Sequence, residues 1–133
     1  FFRERWYGFD DGLYSAARLL EILAASPEDP DEVFAQLPKS VSTPELKLAV
    51  TEGEQYRIVE DFVAKAKFEG ARIATIDGVR ADWPDGWGLV RSSNTTPCLV
   101  MRFDAKDAEA LARIQAVFRQ QLLALNPTLN LPF

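Results

Sequence analysis

Apolar and polar residues alternate along this chain with two different periods, and the switches between them mark out the elements. Leu13, Ala16, Ala17, Leu20 and Leu23, with Ala24, recur at helical spacing and predict a helix of about three turns, capped by Asp10 or Asp11. A second, short helix is expected over Asp31–Gln36. Glu45–Thr51 alternates as a strand with one covered face does. Glu54–Phe68 returns to the helical period, with Tyr56, Val59, Phe62, Val63 and Ala66 on one side and Gly70 as a stop signal. Arg72–Ile76 and Val79–Trp83 read as strands separated by Asp77-Gly78, a dipeptide that suits either a tight turn or a bulge. Trp83-Pro84-Asp85-Gly86 is a clearer turn, so 79–83 and 87–91 are expected to form a hairpin, and 98–103 a further strand. Asp104 or Asp107 then caps a long helix with a stripe of Leu111, Ile114, Val117, Phe118, Leu122 and Leu125, which Pro127 ends.

This order predicts an α+β fold: an antiparallel sheet of about four strands with two helices packed on one face, preceded by a helical segment. Charge refines the picture. The net charge is −5, and all of it falls in residues 1–37, which hold three basic and eight acidic residues; residues 38–133 hold twelve of each. The change coincides with a proline-rich stretch, Pro27 to Pro38, which places a boundary there and divides the chain into 1–37 and 38–133. The acidic balance argues against nucleic acid and anionic membranes as partners. No apolar run is long enough to span a bilayer. The first residue is Phe1 rather than Met, as expected of a fragment or a processed product. Cys98, the one cysteine, lies in an apolar strand of a chain without histidine and reads as a small core residue.

The densest chemistry lies between two strands. Arg91-Ser92-Ser93-Asn94-Thr95-Thr96-Pro97 joins Leu89-Val90 to Cys98-Leu99-Val100-Met101 and offers a planar guanidinium, four hydroxyls and an amide at short spacing. Such a turn can also aim successive main-chain N–H groups into one concavity. These residue types fit a phosphate site, and they fit an ordinary hairpin turn beside a solvated arginine. Asn94-Thr95-Thr96 matches a glycosylation acceptor as well, which matters only in a secreted protein. The acidic pairs Asp10-Asp11 and Glu60-Asp61 are accounted for by a helix cap and a solvated helix face.

Asp77-Gly78-Val79-Arg80 followed by Asp85-Gly86-Trp87-Gly88-Leu89-Val90-Arg91-Ser92-Ser93-Asn94-Thr95-Thr96-Pro97 resembles the C-terminal phosphate-binding region of the α-D-phosphohexomutases, in particular bacterial phosphomannomutase/phosphoglucomutase. Phe1–Gly12 is similar to the end of that family's third domain, and Leu129–Phe133 to its C-terminus. The resemblance implies that 1–37 is the end of the third domain plus a hinge, at 27–38, and that 38–133 is the fourth domain, with a fold similar to the TATA-binding protein. That likeness does not license DNA binding, because function lives in sites and no basic sheet face is expected. The resemblance further implies a cytoplasmic, monomeric enzyme that interconverts hexose 1- and 6-phosphates through a phosphoserine and a bisphosphorylated intermediate. Its substrates would be glucose 1-phosphate, glucose 6-phosphate, mannose 1-phosphate and mannose 6-phosphate, with Mg²⁺ and glucose 1,6-bisphosphate as cofactors of the full-length protein. The family's serine and metal loops have no counterpart here, so no catalytic residue and no metal ligand is assigned. Matched position by position, Arg91, Ser93, Asn94 and Thr95 are the residues that would grip the substrate phosphate, Ser92 standing where a smaller residue is common. The alternative is a non-enzymatic α+β protein-interaction module.

Overall fold

The computed structural model describes all 133 residues, and its internal packing divides them into two units, Phe1–Pro38 and Lys39–Phe133.

In the first unit, Gly12–Ala25 forms helix α1, and Asp11 is its cap: its Oδ1 accepts the Tyr14 N–H at 2.9 Å. Tyr14 stacks on Trp6 at 4.3 Å between centroids, and Arg5 makes a bidentate pair with Glu21, at 3.0 and 2.8 Å, that fixes the leading segment to the helix. The Arg5 hydrogen bonds hold the Glu21 carboxyl below its usual range. No residue of α1 is buried, and Leu13, Leu20 and Ile22 stand open to solvent. Helix α2 spans Pro30–Ala35, a residue earlier than expected at each end, with Pro30 in its first turn, where a missing N–H costs nothing. Glu32 Oε2 reaches back to the Asp29 N–H at 3.2 Å.

In the second unit, strands β1 (Val41–Ser42), β2 (Leu46–Ala49), β3 (Arg72–Ala74), β4 (Val79–Trp83), β5 (Gly86–Ser92) and β6 (Cys98–Ala105) form one antiparallel sheet, with helices α3 (Glu54–Lys65) and α4 (Ala108–Leu125) on one face. The sheet has six strands rather than about four. β1 and β2 lie end to end along β6, Val41 opposite Ala105 and Leu46 opposite Met101. Pro44 breaks this edge because it has no N–H to give the ladder, while Thr43 bridges the gap by bonding Phe103 through its N–H and its Oγ1. The remaining order is β6-β5-β4-β3.

The core lies between this sheet and the two helices. β6 contributes Leu99, Met101, Phe103 and Ala105, β5 contributes Val90, and β4 contributes Val79 and Ala81. α4 places Ala110, Ile114, Phe118 and Leu122 against them, four residues apart on one helix face, and Asp107, not Asp104, is its cap, accepting the Ala110 N–H at 2.8 Å. Gly88 leaves room for the Phe118 ring, since a Cβ there would come within 2.5 Å of Phe118 Cε2. α3 differs from expectation in two ways. It ends at Lys65, short of Gly70, because Ala66 is already extended, and its buried face is Gln55, Ile58, Val59 and Phe62, leaving Tyr56 and Val63 at the flank. Cys98 is buried and unpaired by any disulfide, as expected. The tail after α4 also packs inward, with Leu131 buried and the Phe133 ring 4.6 Å from that of Phe103.

The opposite sheet face carries no helix. Its residues alternate with the core set: Arg72 and Ala74 on β3, Arg80 and Asp82 on β4, Trp87, Leu89 and Arg91 on β5, Val100, Arg102 and Asp104 on β6, Lys47 on β2. Five cationic side chains against two carboxylates make this face basic, contrary to the expectation that no basic sheet face exists. Linear counting over 38–133 gives a neutral balance; the period-2 alternation of the strands sorts the arginines onto one side.

Candidate functional site

The donor-rich residues form the β5–β6 connection. Ser92 pairs with Leu99, and the Ser93 N–H donates to the Cys98 carbonyl at 3.0 Å, so the free loop is reduced to Asn94–Pro97. Ser93 is buried, and its Oγ accepts N–H donors from Thr96, at 3.2 Å, and Thr95, at 3.4 Å, while lying 3.0 Å from Thr96 Oγ1. This is a hydroxyl-centred turn, and it closes the loop from inside. Ser93 therefore shapes the site with the hydroxyl that the resemblance makes a phosphate donor. Thr96 Oγ1 also meets Cys98 Sγ at 3.3 Å, and the Pro97 carbonyl accepts the Val50 N–H at 3.0 Å, so the base of the loop is tied to the strand on either side. Asn94 and Thr95 stand exposed at the tip, and the Asn94 amides make no bond within the chain.

Arg91 comes off β5 onto the basic face, beside the loop. Its Nη1 lies 3.4 Å from the Ser92 carbonyl and 3.7 Å from Asp77 Oδ2, which leaves Nε and Nη2 without a partner. Arg80, two strand positions away across the sheet, is held quite differently. Its Nε and Nη2 bind the Asp82 carboxylate at 3.0 and 2.8 Å, and its guanidinium lies 4.0 Å from the centre of the Trp87 ring. These bonds hold the Asp82 carboxyl below the usual carboxylate range, outweighing the opposing effect of burial. Arg80 and Arg91 flank a cavity of about 280 Å³ whose other walls are Ala74, Ile76, Asp77 and Leu89. The Asp77-Gly78 dipeptide is a turn, not a bulge: β3 and β4 pair from Arg72–Asp82 to Ala74–Arg80, and residues 75–78 connect them.

Residues 45–121 match the family model described as the C-terminal domain of phosphoglucomutase/phosphomannomutase. The chain belongs to that family. Over its whole length it is 53% identical to a phosphomannomutase/phosphoglucomutase of Pseudomonas aeruginosa, of which it covers 29%. It is 55% identical to a phosphoglucomutase of Neisseria meningitidis, over 98% of this chain and 28% of that protein. A solved phosphoglucomutase/phosphomannomutase family protein from Burkholderia thailandensis superposes on all of the chain with a TM-score of 0.86 at 54% identity, the chain covering 28% of it. The chain thus spans less than a third of the length of these relatives.

Within the family domain, Arg91, Ser93, Asn94 and Thr95 are brought together by one strand end and one turn, and Gly78 is what sequence reasoning missed. Gly78 has φ of +76°, and a Cβ there would overlap the Val90 carbonyl and come within 2.7 Å of Arg91 Cα. The β3–β4 turn is therefore pressed against β5 at the root of Arg91. The acidic pairs have local roles: Asp11 caps α1, and Asp61 pairs with Lys65 at 2.6 Å. No three acidic or cysteine side chains converge as metal ligands. No helix is long and apolar enough to cross a membrane.

Proposed function

We propose that Arg91, Ser93, Asn94 and Thr95 form the phosphate-gripping wall of a cytoplasmic, monomeric phosphohexomutase that interconverts the 1- and 6-phosphates of glucose and mannose. The phosphoserine, the Mg²⁺ site and the glucose 1,6-bisphosphate chemistry belong to the remaining domains of that enzyme. This chain binds and orients; it does not transfer the phosphoryl group. Arg91 would take two phosphate oxygens through Nε and Nη2, Thr95 would add a hydroxyl, Asn94 its amides, and Ser93 holds the turn that presents them.

The observation that carries this reading is the uncommitted side of Arg91. The guanidinium beside the loop has its Nε and Nη2 free, whereas those of the neighbouring Arg80 are used by Asp82. A fork left open beside a turn whose tip has unpaired amides is an anion site in waiting. Gripping the phosphate rather than the sugar would also let one site serve both hexoses.

The test is a titration of the chain with glucose 1-phosphate, followed through backbone amides. Shifts should centre on residues 91–96 with a Kd on the order of millimolar, about −4 kcal/mol, since only one wall of a cleft is present. Arg91→Lys keeps the charge, loses the fork and should weaken binding about tenfold. Arg80→Lys should change it less than about twofold. A folded Arg91→Lys chain that binds as well as the parent overturns this function, and shifts confined to the edge of the sheet would point instead to a protein interface.

A further inference from the structure

Asp77 is out of place in a site for anions. Its carboxylate accepts and cannot donate, yet it stands 3.7 Å from Arg91 Nη1, too far for a hydrogen bond and close enough for an ion pair. Main-chain packing places the two residues side by side. The β3–β4 turn is seated on β5 through Gly78, whose missing Cβ leaves the turn in contact with the Val90 carbonyl and the Arg91 backbone. Asp77, the preceding residue, is thereby held over the Arg91 side of the cavity that Arg80, Ile76 and Leu89 help to line. The other acid on this stretch of the sheet face, Asp82, is engaged by Arg80, so Asp77 is the carboxylate that faces Arg91.

We infer that Asp77 is a positioning residue that competes with phosphate for Arg91, and this inference rests on the phosphate-binding function proposed above. With no anion bound, the carboxylate neutralises Nη1 and leaves Nε and Nη2 unpaired. When phosphate arrives, it meets a like charge at the same arginine, so binding is weaker than the donor set alone would make it. The pair is half exposed, and its effect is accordingly modest. Asp77 thus sets the site to release its ligand readily, which suits a ligand that must leave one binding orientation and enter another.

The experiment measures binding of inorganic phosphate and glucose 1-phosphate to the 133-residue chain and to its Asp77→Asn, Asp77→Glu and Arg91→Lys variants, with thermal melts to show that each is folded. Asn is accepted in turns of this kind and removes the charge alone. Asp77→Asn should bind both ligands about two- to fivefold more tightly, and its affinity should fall more steeply with added salt, because attraction is no longer offset by a screened repulsion. Asp77→Glu should return toward the parent affinity. Asp77→Ser provides a second neutral variant with the same expected tightening. Unchanged or weaker binding by folded Asp77→Asn and Asp77→Ser, while Arg91→Lys still weakens it, overturns the competition and leaves the phosphate site standing. If Arg91→Lys has no effect, the phosphate site itself is lost and the role of Asp77 falls with it.

Discussion

Replacing Gly78 by alanine separates two effects that usually come together. The first is local: at φ of +76° an alanine sits in left-handed backbone, which costs about 1–2 kcal/mol for a residue with a Cβ. The second is a collision, for the new Cβ would overlap the Val90 carbonyl and lie 2.7 Å from Arg91 Cα and 2.8 Å from Arg91 Cβ. Those are backbone atoms of a central strand and the root of a side chain, so the turn must lift, and overpacking of this kind typically costs about 1–3 kcal/mol. The expected loss is therefore about 2–5 kcal/mol, a large share of a small domain's stability. Gly53→Ala supplies the control. Gly53 has nearly the same φ, +81°, and no atom within 4 Å of a Cβ, so it should lose only the backbone part, about 1–2 kcal/mol. Urea denaturation of both variants, with unchanged slopes, measures the difference directly. The two variants should also differ in function: lifting the turn carries Asp77 off Arg91, whereas Gly53 stands at the start of α3 and is not part of that turn. Equal destabilisation by the two substitutions would refute the claim that the turn is seated on β5.

Three further outcomes follow from the same geometry. The chain alone should show no mutase turnover with Mg²⁺ and glucose 1,6-bisphosphate present, since it has no converged metal ligands and no assigned nucleophile; measured turnover would sink the proposed division of labour. Asp107→Ala removes the side chain that caps α4 and should cost about 1 kcal/mol, read as a lowered denaturation midpoint with an unchanged slope. Asp82 titrates below its ordinary range because Arg80 hydrogen-bonds it, so its contribution is fully present above the unfolded carboxylate value, near pH 4, and is lost as pH falls through the lower folded value. The stability gap between the parent and Asp82→Asn should accordingly narrow as pH is lowered from 7 toward 2, and a gap that does not change with pH would contradict the pairing.

How much of this could be read beforehand depended on how local its cause is. The α4 stripe was legible because Ile114, Phe118 and Leu122 repeat at the helical period and leave one choice of face. In α3 the period was equally clear but the phase was not. Tyr56 and Val63 compete with Ile58 for the inner side, and the sheet decides by burying Gln55, Ile58, Val59 and Phe62. β1 was missed because two residues carry no alternation to detect, and the strand exists only through its pairing with the far end of β6. The donor-rich loop stood out by composition, which is a local property. The inward turn of the Ser93 hydroxyl and the basic character of the open sheet face did not, since one depends on burial and the other on which residues share a face across five strands.

The two arginines that flank the cavity show what composition cannot supply. Arg80 and Arg91 are the same residue type, on adjacent strands of one face, each with an aspartate in reach. Their difference lies in how each acid is attached. Asp82 is on the same strand as Arg80, two residues on, so the pleat points both side chains the same way and the bidentate bond forms with little freedom lost. Trp87, directly opposite Asp82 on β5, then covers the guanidinium from its flat side. Asp77 belongs to a turn, and its approach to Arg91 is set by the Gly78 contact rather than by strand geometry, which holds it at 3.7 Å with one nitrogen engaged. A bidentate, stacked arginine exchanges partners at the expense of two hydrogen bonds and a ring contact; a singly and loosely paired one gives up only a screened attraction. Within one basic face, Arg80 is therefore fixed as part of the scaffold, and Arg91 is the arginine able to change partners.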